Sequence, residues 1–140
     1  MIISSGGNAG SQATSLIIRA LAVRELTLRD WGRVFGRELL SGVALGAILA
    51  LVGLVRIIAW PARMTLYGPH YVHIAFTVAF SLVGVVLFGT IVGAMLPFLL
   101  RRLGLDPATA SAPFVATLVD VTGLIIYFTT AQLLLRGLLL

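Results

Sequence analysis

The strongest chemical feature of this sequence is one carboxylate set in an apolar run. Asp120 lies within Ala112-Pro113-Phe114-Val115-Ala116-Thr117-Leu118-Val119-Asp120-Val121-Thr122-Gly123-Leu124. From Pro113 to Leu135 the chain is almost wholly apolar, about the 20 residues a helix needs to cross a bilayer. Asp120 falls roughly a third of the way along, near mid-depth. A carboxylate there costs about 2.5–3.5 kcal/mol on insertion scales, and more where neither water nor a partner reaches it. No cationic side chain lies within a helical turn or two to neutralise it. Its helical neighbours are Ala116 and Thr117 one turn back, then Ala112 and Pro113, with Gly123 and Tyr127 ahead. Backbone carbonyls and a cation can approach such a small, polar face closely. Two readings are open. Asp120 is hydrogen-bonded to Thr or Asn on another helix, or it marks an ion pathway, which is the default for an intramembrane acid.

A second polar stretch stands near the start, Gly6-Gly7-Asn8-Ala9-Gly10-Ser11-Gln12. A phosphate-cradling loop would need a Lys after the glycines, and a dinucleotide fingerprint a preceding strand; neither is present. The stretch reads instead as half of a membrane helix. Gly6, Ala9 and Gly10 allow close packing, and Asn8 and Gln12, four apart, form a polar lining on one face. The apolar run ahead of Gly6 is too short to complete a span, so this helix reads as cut off at its N-terminus. His70 and His73 are three apart and could share a metal, but with Tyr67, Gly68-Pro69 and Tyr71 they fit an interfacial aromatic loop better.

An enzyme is not indicated. An intramembrane aspartyl protease needs two carboxylates sharing a proton, and Asp106 lies in an interfacial link. A serine or metal hydrolase would need a His within a span, and both histidines lie outside. The absence of cysteine excludes thiolate chemistry and disulfides.

These residues must be positioned by membrane helices. At 140 residues and 59% hydrophobic, with a mean hydropathy of +1.08, the chain reads as an all-α polytopic membrane bundle. The expected architecture is about three full spans, the N-terminal partial helix and an interfacial amphipathic helix. The net charge of +5 is not a nucleic-acid signal. All ten basic residues are Arg, and five lie between Arg19 and Arg37, outside the apolar spans. That is the positive-inside signature of a cytoplasmic connection. Leu26 to Leu39 is amphipathic, with Thr27 and Asp30 as a capping-box variant. Its arginine face is suited to anionic membrane lipid.

The first full span covers about Leu39 to Trp60 and carries the stripe Gly42, Gly46, Ala50 and Gly53 for helix packing. Arg56 snorkels beside Trp60. Residues 61–73 form a short external connection. The second span, Ile74 to Leu100, contains the small pair Gly89 and Gly93, and Pro97 before Arg101-Arg102, which return the chain to the cytoplasmic side. Asp106 caps a turn opened by Pro107. A break at Ser111-Ala112-Pro113 starts the last span, which ends near Leu140 on the outside.

Two stretches together resemble the MgtE magnesium transporters and channels: Gly6 to Gln12, and Asp106-Pro107-Ala108 continuing through Ser111 to Gly123. The link from Gly93 to Arg102 also fits, so the likeness covers nearly the whole chain in order. The resemblance implies a dimerising five-helix membrane domain, multi-pass in the inner cell membrane, with the ion path lined by the second and fifth helices. It implies that Asp120 binds hydrated Mg2+ in the pore, aided by the Ala116 carbonyl and Asn8. Gln12, Ala112, Thr117 and Gly7 complete the candidate lining. Some members carry Asn where this chain has Ala112, which brings no side-chain oxygen. Set against the family, residues 1–140 lack the first helix and the cytoplasmic regulatory modules. A separate polypeptide is one possible source of that helix, and a non-conducting fragment or structural membrane subunit is the alternative function.

Overall fold

The apolar runs and the end signals of the sequence set the element boundaries. The structure, a computed structural model, describes residues 2–136; Met1 and the expected end of the last span near Leu140 lie outside the described residues. Five α-helices follow in order: α1 (Ile2–Ala22), α2 (Trp31–Ala59), α3 (Arg63–Tyr67), α4 (Tyr71–Arg102) and α5 (Ala112–Leu135). Three segments, Leu28–Ala59, Arg63–Arg102 and Ala112–Leu135, are long and apolar enough to cross a membrane. They contain α2, α4 and α5, and no strand occurs among the described residues. The chain is therefore an all-α membrane bundle. α1 matches a span in length, at 21 residues or about 31 Å. It is not among the three, because its first half carries the polar and glycine-rich stretch.

The amphipathic stretch 26–39 is not a separate helix. Its start is a 3-10 turn, Leu28–Asp30, and its remainder forms the opening turns of α2, which runs on into the span. The Asp30 carboxylate accepts from the Thr27 N–H at 2.9 Å and the Thr27 hydroxyl at 2.8 Å, so the cap marks where the chain turns into the membrane. At the end of α1, Arg24 adopts the left-handed conformation, φ +60°. The Glu25 N–H then bonds back to the Ala20 carbonyl at 2.9 Å. Gly104, φ +76°, ends α4 in the same way, with the Leu105 N–H bonding to Leu100. Asp106 accepts from the Ala108 N–H at 2.9 Å and starts the short turn Pro107–Thr109.

α4 is the hub: α1, α2 and α5 all pack on it. Half of its most apolar window is buried inside the chain, against 28% for α2 and 17% for α5, so the other two spans leave broad faces for lipid or a partner. α1 runs parallel to α4, and α2 and α5 run antiparallel to it. The C-terminus of α1, the N-terminus of α2 and the C-terminus of α4 thus share one end of the bundle. Arg19, Arg24, Arg29, Arg33, Arg37, Arg101 and Arg102 all lie at that end. Arg101 donates to the Leu21 carbonyl at 2.9 Å, tying the two helix ends together. At the opposite end the Arg56 guanidinium stacks 4.7 Å from the centre of the Trp60 ring, and His70 and His73 stand edge to face with centroids 6.2 Å apart.

Candidate functional site

The helix pairings are set by glycine. A Cβ at Gly89 would overlap the Gly6 carbonyl oxygen, and one at Gly93 would overlap that of Gly10. The stripe Gly6-x-x-x-Gly10 of α1 therefore lies directly on Gly89-x-x-x-Gly93 of α4, backbone against backbone. The buried Thr14 hydroxyl sits 2.8 Å from both the Gly10 and the Gly93 carbonyl oxygens, bridging the two helices one turn further along. Gly42 and Gly46 do the same for α2. A Cβ at Gly42 would strike the Thr90 hydroxyl, and one at Gly46 would come within 2.9 Å of Val83 Cα.

With α1 fixed on α4, its other side meets α5. The Ser11 hydroxyl donates to the Ala112 carbonyl at 3.0 Å. One turn back towards the start of α1, Gly7 lies under the Asp120 side chain, where a Cβ would come within 2.7 Å of Asp120 Oδ1 and 3.6 Å of the Ala116 carbonyl oxygen. The glycine thus leaves the space that the carboxylate occupies. Asp120 is half-buried as a residue. Its Oδ1 is fully buried and accepts no hydrogen bond among the described residues. A buried polar atom without a partner costs about 1–3 kcal/mol, and more when charged. Nothing among the described residues has Asp120 pinned by Thr or Asn of a neighbouring helix.

The other candidate residues differ in exposure. Ala116 is half-buried one turn below Asp120, and Ala112 is half-buried two turns below. Asn8 and Gln12 are exposed on α1, beside the glycines that meet α5. Thr117 is exposed, and its hydroxyl donates back to the Pro113 carbonyl at 3.0 Å. Gly7 is buried: it seats the carboxylate and presents no side chain of its own. An open groove of about 380 Å³ continues towards the arginine-rich end, lined by Ser11, Gln12, Ser15, Leu16 and Ala112. Ser11 and Ser15 were not singled out by sequence reasoning. Ser11 is three residues from Asn8 and Ser15 three from Gln12, which places them on the same side of α1. No three His, Asp or Glu side chains come together among the described residues, and Asp120 is the one acidic residue in α5.

The fold and this site define a polytopic α-helical membrane protein with one buried carboxylate at the α1–α5 contact. Residues 1–130 match the family model MgtE, described as a divalent cation transporter, and the chain belongs to that family. It is 50% identical over 137 residues to the magnesium transporter MgtE of Thermus thermophilus, 98% of this chain and 28% of the relative. It is 31% identical over 138 residues to the magnesium transporter MgtE of Bacillus subtilis, 99% of this chain and 29% of the relative. To the magnesium transporter MgtE of Enterococcus faecalis it is 30% identical over 136 residues, 97% and 28% respectively. The chain thus spans a little over a quarter of the length of these relatives.

Proposed function

We propose that residues 1–140 form one membrane unit that passes Mg2+ along the α1–α5 face, with Asp120 holding the hydrated ion. The observation that carries this reading is the buried, unpartnered Oδ1 of Asp120 seated on Gly7. Mg2+ sheds its water reluctantly and is usually held by one or two carboxylates with several waters retained. One acid with the Ala116 carbonyl one turn away and the exposed amides of Asn8 and Gln12 on α1 suits contact through the hydration shell. Weak, multi-site contact of that kind also lets the ion leave, as conduction requires.

A single carboxylate per chain supplies one negative charge, and the polar faces of α1 and α5 are exposed. A two-fold homodimer would bring two such faces and two Asp120 side chains to a common axis. The arginine-rich end faces the cytoplasm of the inner membrane, and the 61–73 connection the outside, by the arginine bias of the short links. Asp120→Asn tests the site, because it keeps shape and hydrogen-bonding reach while removing the charge. The variant inserts and assembles as the parent does but loses Mg2+ uptake in vesicles. Asn8→Ala lowers uptake less, because it removes a neutral oxygen. Unchanged uptake in Asp120→Asn, with dimer content measured in the same samples, would refute the assignment.

A further inference from the structure

A second cavity lies away from the ion face. An open groove of about 790 Å³ runs between the start of α2 and the last turns of α4. Trp31 and Phe35 form one wall, Val92, Met95 and Leu99 the other, and Arg29 and Arg102 stand at its mouth. Trp31 and Leu99 are more than half exposed, so this apolar trough is not closed by the chain itself. Among the described residues neither Arg29 nor Arg102 has a carboxylate partner, and the ion pair formed at this end is Arg33 with Asp30, 3.6 Å apart.

The depth of the groove matches one leaflet. From Arg102 to Val92 the helix advances about 15 Å, half of a hydrocarbon core about 30 Å thick. The trough therefore spans one leaflet, with two cations at headgroup level, an aromatic ring at the interface and apolar side chains below. We propose that the groove is a binding site for one anionic phospholipid of that leaflet, its phosphate between Arg29 and Arg102 and an acyl chain along α4. Two unpaired guanidinium groups complement a headgroup carrying net negative charge, whereas a zwitterionic headgroup would bring its own cation against them. An apolar protein segment would fill the trough but leave both arginines without a counter-ion. The site shares no residue with the Asp120 face, so it stands or falls apart from the transport reading.

The test is native mass spectrometry of the full chain released from nanodiscs containing equal phosphatidylglycerol and phosphatidylcholine. The parent protein is expected to retain phosphatidylglycerol in preference. Arg29→Gln with Arg102→Gln should weaken that retention about thirtyfold, the loss of two interfacial cations. Arg56→Gln, at the opposite end of α2 and outside the groove, should leave it unchanged. Leu99→Trp, which fills the trough and keeps both charges, should reduce retention of both lipids. It also carries the test if the double variant does not fold. A photo-crosslinker at Met95 should capture phospholipid. Equal retention of the two lipids by the parent, undiminished retention in Leu99→Trp, or capture of a polypeptide at Met95 would overturn the proposal.

Discussion

Replacing Gly7 by alanine separates the seat of the carboxylate from the packing of the helices. A Cβ at Gly7 would stand 2.7 Å from Asp120 Oδ1, while the next obstacle, the Ala116 carbonyl oxygen, is already at an ordinary 3.6 Å. Only the carboxylate must move, and it must retreat to at least about 3.4 Å. It is the far end of a short side chain with two rotatable bonds, so the backbone can stay in place. Gly→Ala within a helix is worth about 0.5–1 kcal/mol of stability, which offsets the small rearrangement. Gly7→Ala should therefore unfold at the parent temperature or slightly above it. The carboxylate is displaced by more than the roughly 0.5 Å tolerance of a working site, so Mg2+ uptake should fall several-fold. Thermal unfolding in detergent and uptake in vesicles, measured on the same preparation, give both quantities. Parent-level uptake with unimpaired stability would show that the position of the Asp120 carboxylate is immaterial. A loss of stability that accounts for the loss of uptake would show that Gly7 is a packing glycine like its neighbours.

Gly93→Ala should behave in the opposite way, because the new Cβ meets only backbone atoms of Gly10; overpacking of that kind costs about 1–3 kcal/mol, read as a lowered unfolding temperature. Arg24→Gly should raise stability by about 1 kcal/mol, since it relieves the left-handed backbone of a residue with a Cβ, and slower proteolysis of the 22–28 connection would report it. Single cysteines placed in 61–73 should be labelled only by reagent applied from outside the cell, and labelling from the cytoplasmic side alone would invert the proposed topology.

Several parts of this protein were legible in the sequence, because they depend on residues close in the chain. Apolar length defines the membrane segments that contain α2, α4 and α5. The Thr27–Asp30 cap, the Asp106-Pro107 turn and the placing of Arg56 beside Trp60 are local pairings. Asp120 stands out on composition alone, since a charge in an apolar span has no bland neighbours to hide among. The glycine stripes were legible as stripes, but not as pairs. A small residue shows that a backbone can come close without showing which one does. Only the tertiary structure sets Gly6 and Gly10 on Gly89 and Gly93, and makes α4 the helix on which the others pack. The same register of α1 against α5 decides the role of Gly7. By sequence it was one more candidate in the lining; in the fold it is the space beneath a buried carboxylate oxygen. That role depends on residues 113 positions apart, where helical periodicity carries no information.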